Sequence, residues 1–178
     1  GKSVAVKAAL NGRGSGQKWD GALTAQMGSE DVADLALTAR NGTFTAKGNA
    51  APAKVMADSL IARALSPVAN VNMAATFEDR VATIKGSVRS AAVVMGAAGV
   101  ADMGDGSFND LALDIQLLRP SIIARSVSGT NVGGKVLLNG AFATPIVAYS
   151  ATAARLTFDT TTFQGVTASG EAQGQSDR

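Results

Sequence analysis

Residues Asp34–Ala50, DLALTARNGTFTAKGNA, constrain the fold more than any other stretch of the chain. Asn41-Gly42 separates two alternating runs, and both residues accept the positive φ that a two-residue hairpin turn demands. The turn fixes the register. Arg40 faces Thr43, and counting outward sets Ala39 opposite Phe44, Leu37 opposite Ala46 and Leu35 opposite Gly48. The intervening pairs, Thr38–Thr45, Ala36–Lys47 and Asp34–Asn49, are mostly polar. Successive side chains of a strand point to opposite faces, so this hairpin has one apolar face and one wet face. What covers the apolar face is the functional question.

The same alternation runs through most of the chain. Ser3–Asn11 is expected to be a strand, Gly12–Gly16 a flexible turn, and Gln17–Met27 the next strand, with Trp19, Gly21, Leu23, Ala25 and Met27 on one face. Val68–Arg89 repeats the hairpin theme. With Glu78-Asp79 as its turn, Ala75 meets Ala82, Met73 meets Ile84, Val71 meets Gly86 and Ala69 meets Val88. Ala91–Val100 is a short apolar stretch, Asp102–Asn109 a turn-rich loop, and Asp110–Leu117 a strand. Ser121–Ser128 is a further candidate strand and Asn131–Gly134 a loop. Strands at Lys135–Ala143, Ile146–Phe158 and Phe163–Ala172 close the series before a polar tail from Gly170. One stretch departs from the pattern. Met56, Leu60, Ile61, Ala64 and Leu65 recur at helical spacing between Pro52 and Ser66-Pro67, which predicts a short amphipathic helix near 53–65. A strand over the same residues stays open.

The strand units recur. Asp34-Leu-Ala-Leu37 returns verbatim as Asp110-Leu-Ala-Leu113, 76 positions on, and an apolar-x-apolar-x-Gly pattern ends at Gly48, Gly86, Gly140 and Gly170. Loose periodicity of strand units points to an elongated, repetitive β architecture. The expected fold is therefore all-β: a single repetitive, antiparallel-rich segment over 1–178, internal to a longer chain, its sheet curled into an open hydrophobic groove. About a dozen strands at roughly 4.8 Å each would extend on the order of 60 Å.

Composition removes most chemistry. With no His and no Cys, the commonest general base, the commonest metal ligand and all thiol chemistry are missing. A net charge of +2 without Lys/Arg clusters gives no nucleic-acid footprint. Gly129 to Lys135 imitates the spacing of a phosphate-binding loop, but Val136 replaces the magnesium-holding hydroxyl and a strand follows where a helix is needed. Asp102, Asp105 and Asp110 lack the ligand alternation of a calcium loop. Asp110 and Asp114 fall on one polar face by their even separation. Neither an enzyme, a cofactor nor a metal site is expected.

Aromatics make up only 4% of the residues, too few to anchor an ordinary core. Every strand offers small and medium aliphatics to one face, and no set of strands supplies the complementary layer. The candidate lining of an apolar groove is Val6, Leu10, Leu23, Met27, Leu35, Leu37, Phe44, Val71, Met73, Ile84, Val88, Leu111, Leu113, Ile115 and Leu138. The competing reading is a closed β-solenoid, a structural or adhesive stalk like an autotransporter passenger, with a filled interior.

The alternating strands with Asp34-Leu-Ala-Leu-Thr-Ala-Arg-Asn-Gly-Thr-Phe44, then Arg89-Ser-Ala-Ala92, Leu118-Arg-Pro120, Leu138-Asn-Gly-Ala-Phe-Ala-Thr-Pro145 and Tyr149, resemble the periplasmic repeat region of the TamB family, related to the AsmA-like proteins. The resemblance covers most of the chain in style, through degenerate motifs. It implies a β-taco, a long sheet curled into a hydrophobic trough that carries phospholipid acyl chains between the inner and outer membranes of a Gram-negative bacterium. It also implies an inner-membrane anchor and a region that docks on an outer-membrane barrel of the Omp85 class; neither has a counterpart in these residues. An eight-residue strand spans roughly 26 Å, more than the roughly 15 Å of one leaflet's hydrocarbon, so a sheet bent across its strands could wrap an acyl chain.

Overall fold

The computed structural model describes residues 5–15, 17–56 and 59–174. Expectations that fell on Ser3, Val4, Gly16 and the last four residues lie outside them. The chain is one antiparallel sheet of twelve strands that does not close into a barrel. The strands are β1 (Val6–Ser15), β2 (Lys18–Met27), β3 (Glu30–Arg40), β4 (Thr43–Ala50), β5 (Ala69–Glu78), β6 (Val81–Arg89), β7 (Val93–Asp102), β8 (Ser107–Leu117), β9 (Val127–Thr130), β10 (Val132–Ala141), β11 (Ile146–Phe158) and β12 (Thr161–Gln173). Each pairs with its sequence neighbour, with two exceptions. β10 takes the place beside β8, and β9 pairs with the far half of β11. β9 and β10 share one register against β11, interrupted only at Asn131, whose φ is +52°.

The β3–β4 hairpin has the register its turn predicts, from Arg40 opposite Thr43 through Asp34 opposite Asn49. The second hairpin does not. Its turn is Asp79-Arg80, both at positive φ, so Met73 faces Gly86 rather than Ile84 and Val71 faces Val88 rather than Gly86. The shift is an even number of residues, so every side chain keeps its face.

Other expectations are also corrected. Gly12–Ser15 is strand, because Gly12 and Gly14 pair with Gly21 and Trp19. The loop expected at Asn131–Gly134 is mostly the start of β10, and the one at Asp102–Asn109 shrinks to the turn before Ser107. Ser121–Ser128 is mainly a 3-10 turn at Pro120–Ile122 and irregular chain, with strand only from Val127. The tail from Gly170 stays in β12 as far as Gln173. The helix near 53–65 is two short pieces, a 3-10 turn at Pro52–Lys54 and an α-helix, α1 (Leu60–Ala64), with Ala57 and Asp58 outside the described residues. Ser59 caps α1: its hydroxyl accepts the Ala62 N–H at 3.1 Å.

Two strands carry one extra residue each. Val32 bulges from β3, and its carbonyl accepts the Ala51 N–H at the start of the β4–β5 linker. Asp110 bulges from β8 at φ +48°. The opposing Asn139 side chain accepts its N–H at 2.7 Å and donates to its carboxylate at 3.2 Å. The bulge interrupts alternation, so Asp110 and Asp114 are not related by the even-spacing rule. It also brings Phe108 onto the face of Leu111.

Among the described residues no large side chain is fully buried. The buried apolar residues are mostly alanines, among them Ala69, Ala82 and Ala101, with Val93 and Val127. The chain exposes 11450 Å², against about 8,000 Å² for a compact monomer of its mass. The sheet is held by its backbone ladder and by side chains packed within its own faces, with no second layer over most of its area.

Candidate functional site

Residues paired across adjacent strands lie on the same face, so the register can be followed from strand to strand. One row runs Leu10, Leu23, Leu35, Gly48, Val71, Val88, Met95, Ile115 and Gly134. The next runs Leu37, Ala46, Met73, Gly86, Ala97, Leu113, Val136 and Tyr149. All fifteen lining candidates share this face. Twelve are half-buried, while Val6, Leu10 and Phe44 are exposed. The other face carries Lys47, Asn72, Lys85 and Ser87 and a hydroxyl contact of 2.7 Å between Thr38 and Thr45.

Several large side chains on the apolar face lie flat across glycines of the same or neighbouring strands. The Trp19 indole covers Gly12 and Gly21, the Met73 sulfur sits over Gly86, and the Tyr149 ring lies on Gly170. A Cβ at any of these glycines would occupy the space of the covering group. The glycines therefore lower the floor of the face and let side chains lie along it. A recess of about 350 Å³ remains over β2–β6, bordered by Trp19, Leu37, Phe44, Met73 and Ile84. Phe44 and Phe77 pack edge to face at 5.5 Å on its rim, and Phe108 and Phe142 pack with tilted rings at 4.6 Å further along.

At the opposite strand ends the face is covered. The 51–68 and 118–126 linkers meet there, through α1 and the Pro120–Ile122 turn. From α1 come Leu60, Ile61, Ala64 and the adjoining Leu65; the turn contributes Ile122 and Ile123. With Val93, Met95, Ile115 and Leu117 of the sheet they enclose a cleft of about 230 Å³ lined only by aliphatic side chains and one Met. Ser90, buried in the β6–β7 connection, ties this lid down. Its hydroxyl donates to the Ala64 carbonyl at 2.6 Å and accepts the Ala92 and Val93 N–H groups at 3.0 and 3.1 Å. The Ala92 carbonyl in turn accepts the Leu118 and Arg119 N–H groups. Lys54 anchors the other linker through a 3.0 Å ion pair to Glu30.

Of the cleft's sheet residues, only Ile115 was among the sequence candidates. Met95 and Leu117 carried a usable signal, since Met95 pairs with Ile115 and Leu117 lies an even step beyond it; Val93 follows only through its pairing with Leu117. Leu60 carried its helical spacing but nothing to say what it packs on, and Ile123 carried no signal. The glycine-and-lysine loop look-alike is strand on both sides of Asn131 and forms no phosphate cradle. Asp102 closes its own turn by accepting the Gly104 and Asp105 N–H groups. Among the described residues no three carboxylates gather as metal ligands, and no helix is long and apolar enough to cross a membrane. No protein-family model, curated protein or solved structure matches the chain. The resemblance to the TamB family thus rests on the residues quoted above.

Proposed function

We propose that this chain is a segment of a bridge-like lipid-transport protein of the periplasm, of the TamB/AsmA-like kind, whose apolar sheet face carries phospholipid acyl chains between inner and outer membranes. The observation that carries the reading is the unbroken apolar face from Leu10 to Val136, on which no large side chain is fully buried. Apolar surface left in water is unfavourable by roughly 25 cal/mol per Å², and patches well beyond a few hundred Å² mark interaction sites. An aliphatic chain lying along the rows would remove that cost. Such contact is non-directional and suits a conduit for mixed lipids rather than a selective receptor. The work is non-catalytic, with no nucleic acid involved. Contacts with an inner-membrane anchor and an Omp85-class barrel belong to the same proposal through other regions of the full protein. A closed solenoid stalk fits less well, because solenoids stack parallel strands around a filled interior, whereas every pairing here is antiparallel.

The test is site-specific photocrosslinking in a Gram-negative cell. A photo-reactive residue at Met73, on the apolar face, is expected to label phospholipid, while one at Asn72, the exposed neighbour on the other face, is not. Equal labelling at the two positions sinks the proposal.

A further inference from the structure

The lidded cleft differs from the open face in two respects. It is enclosed by linker residues as well as sheet residues, and two exposed arginines flank it in the 118–126 linker. Arg119 and Arg125 each lie within two residues of a cleft-lining side chain, Leu117 and Ile123, and no Asp or Glu occurs from Ile115 to Phe158; Asp114, beside Ile115, alternates onto the other face of β8, and Asp58, two residues before Leu60, lies outside the described residues. Both arginines are exposed, and neither makes an ion pair among the described residues. The volume, about 230 Å³, exceeds the roughly 150 Å³ of an apolar cavity that accepts benzene and falls below the roughly 300 Å³ at which drug-sized pockets begin. It suits part of one alkyl chain and not a ring-bearing cofactor.

We infer that this cleft is a discrete site for a single alkyl chain with an anionic head, the tail between α1 and β7–β8 and the head beside Arg119 and Arg125. The inference rests on the reading of the apolar face as a lipid surface and adds a selective position to it. A lipid passing along the open rows would be detained here by two interactions the rows lack: enclosure of its tail and charge on its head.

The test is calorimetric titration of the whole chain with octanoate, decanoate, decyl phosphate and decanol. Affinity is expected to rise about fourfold for each methylene that the cleft buries and to level off once it is full. Both decyl anions should bind more tightly than decanol; a tighter phosphate names phospholipid as the source, a tighter carboxylate names fatty acid. The double variant Arg119→Gln/Arg125→Gln is expected to erase the preference for anions and keep the dependence on chain length. Ile61→Glu, at a residue 59% exposed and so tolerant of the change, is expected to weaken every ligand at least tenfold. Binding that ignores chain length, or that survives Ile61→Glu unchanged, overturns the site. Lipid labelling at Met73 together with either result overturns this site alone; loss of selective labelling at Met73 as well removes the proposed function with it.

Discussion

The open recess over β2–β6 and the lidded cleft over β7–β8 are built from the same sheet face and the same kinds of side chain. Leu37, Met73 and Ile84 floor one; Met95, Ile115 and Leu117 floor the other. They differ in the connections beside them. At the recess, Asn41-Gly42 and Asp79-Arg80 return the chain in tight turns that cannot reach over the face. At the cleft, residues 51–68 and 118–126 are long enough to fold back and bring their own Leu and Ile side chains. Whether the face is open or covered is thus decided by the loops, and the strands are equally suited to either state.

The most disruptive way to break this comparison is Gly48→Ala. Gly48 lies in the open region at φ +153°, and a Cβ there would strike the Asp34 carbonyl and the Leu35 backbone. Strain at a glycine-only conformation, with the displaced β3–β4 ladder, is expected to cost about 3 kcal/mol, read as a fall in the urea midpoint. In a sheet whose strands touch only their neighbours, such damage should stay local. Hydrogen exchange would then accelerate in β1–β5 while β7–β8 amides and decanoate binding persist. Equal loss of protection across all twelve strands would show that the recess and the cleft unfold as one unit.

Ser90→Ala addresses the covered region. It removes the side-chain hydroxyl that holds α1 to the β6–β7 connection and leaves the Ala92 and Val93 N–H groups without that acceptor. The expected cost is about 2 kcal/mol, with faster exchange at the Leu65 amide, which bonds to the Ile61 carbonyl within the lid. Amides of β3–β5 should not change. Ser59→Ala acts on the same lid more gently, since only the α1 cap is lost, at about 1 kcal/mol. If Ser59→Ala loosens the lid more than Ser90→Ala, α1 is held by its own helicity and not by the latch.

Much of the strand pattern was legible because alternation and turn chemistry are local. Asn41-Gly42 fixed seven cross-strand pairs, from Arg40–Thr43 to Asp34–Asn49, without ambiguity. Glu78-Asp79-Arg80 offered no glycine, and the residue that takes up positive φ beside Asp79 is an arginine, which no turn preference favours. The glycines at 12 and 14 looked like a loop because what they meet lies across a strand pairing, the indole of Trp19 over Gly12 and the Lys18–Trp19 backbone against Gly14. The Asp110 bulge depends on Asn139, twenty-nine residues away. The lid was the least legible feature. Helical spacing predicted a short helix near 53–65 while a strand stayed open, and its covering of Ile115 rests on contacts with residues some fifty positions distant, for which the local sequence carries no periodic signal.

The smallest expected effect belongs to Arg80→Gly, at the open end. Arg80 holds φ +71°, a left-handed conformation that costs a side-chain-bearing residue about 1 kcal/mol. Glycine relieves that strain but loses more chain entropy on folding, by roughly 0.5–1 kcal/mol. It also forfeits the bond from the guanidinium to the Met103 carbonyl, long at 3.3 Å and exposed. The two sides nearly cancel, so stability should stay within about 0.5 kcal/mol of the parent, with lid exchange and decanoate affinity unmoved. A turn that accepts either residue so readily is set by its length and its place in the ladder. A loss above about 1 kcal/mol would instead mean that the Arg80–Met103 contact binds neighbouring turns into a rim, and the open end would owe its form to side chains as the lidded end does.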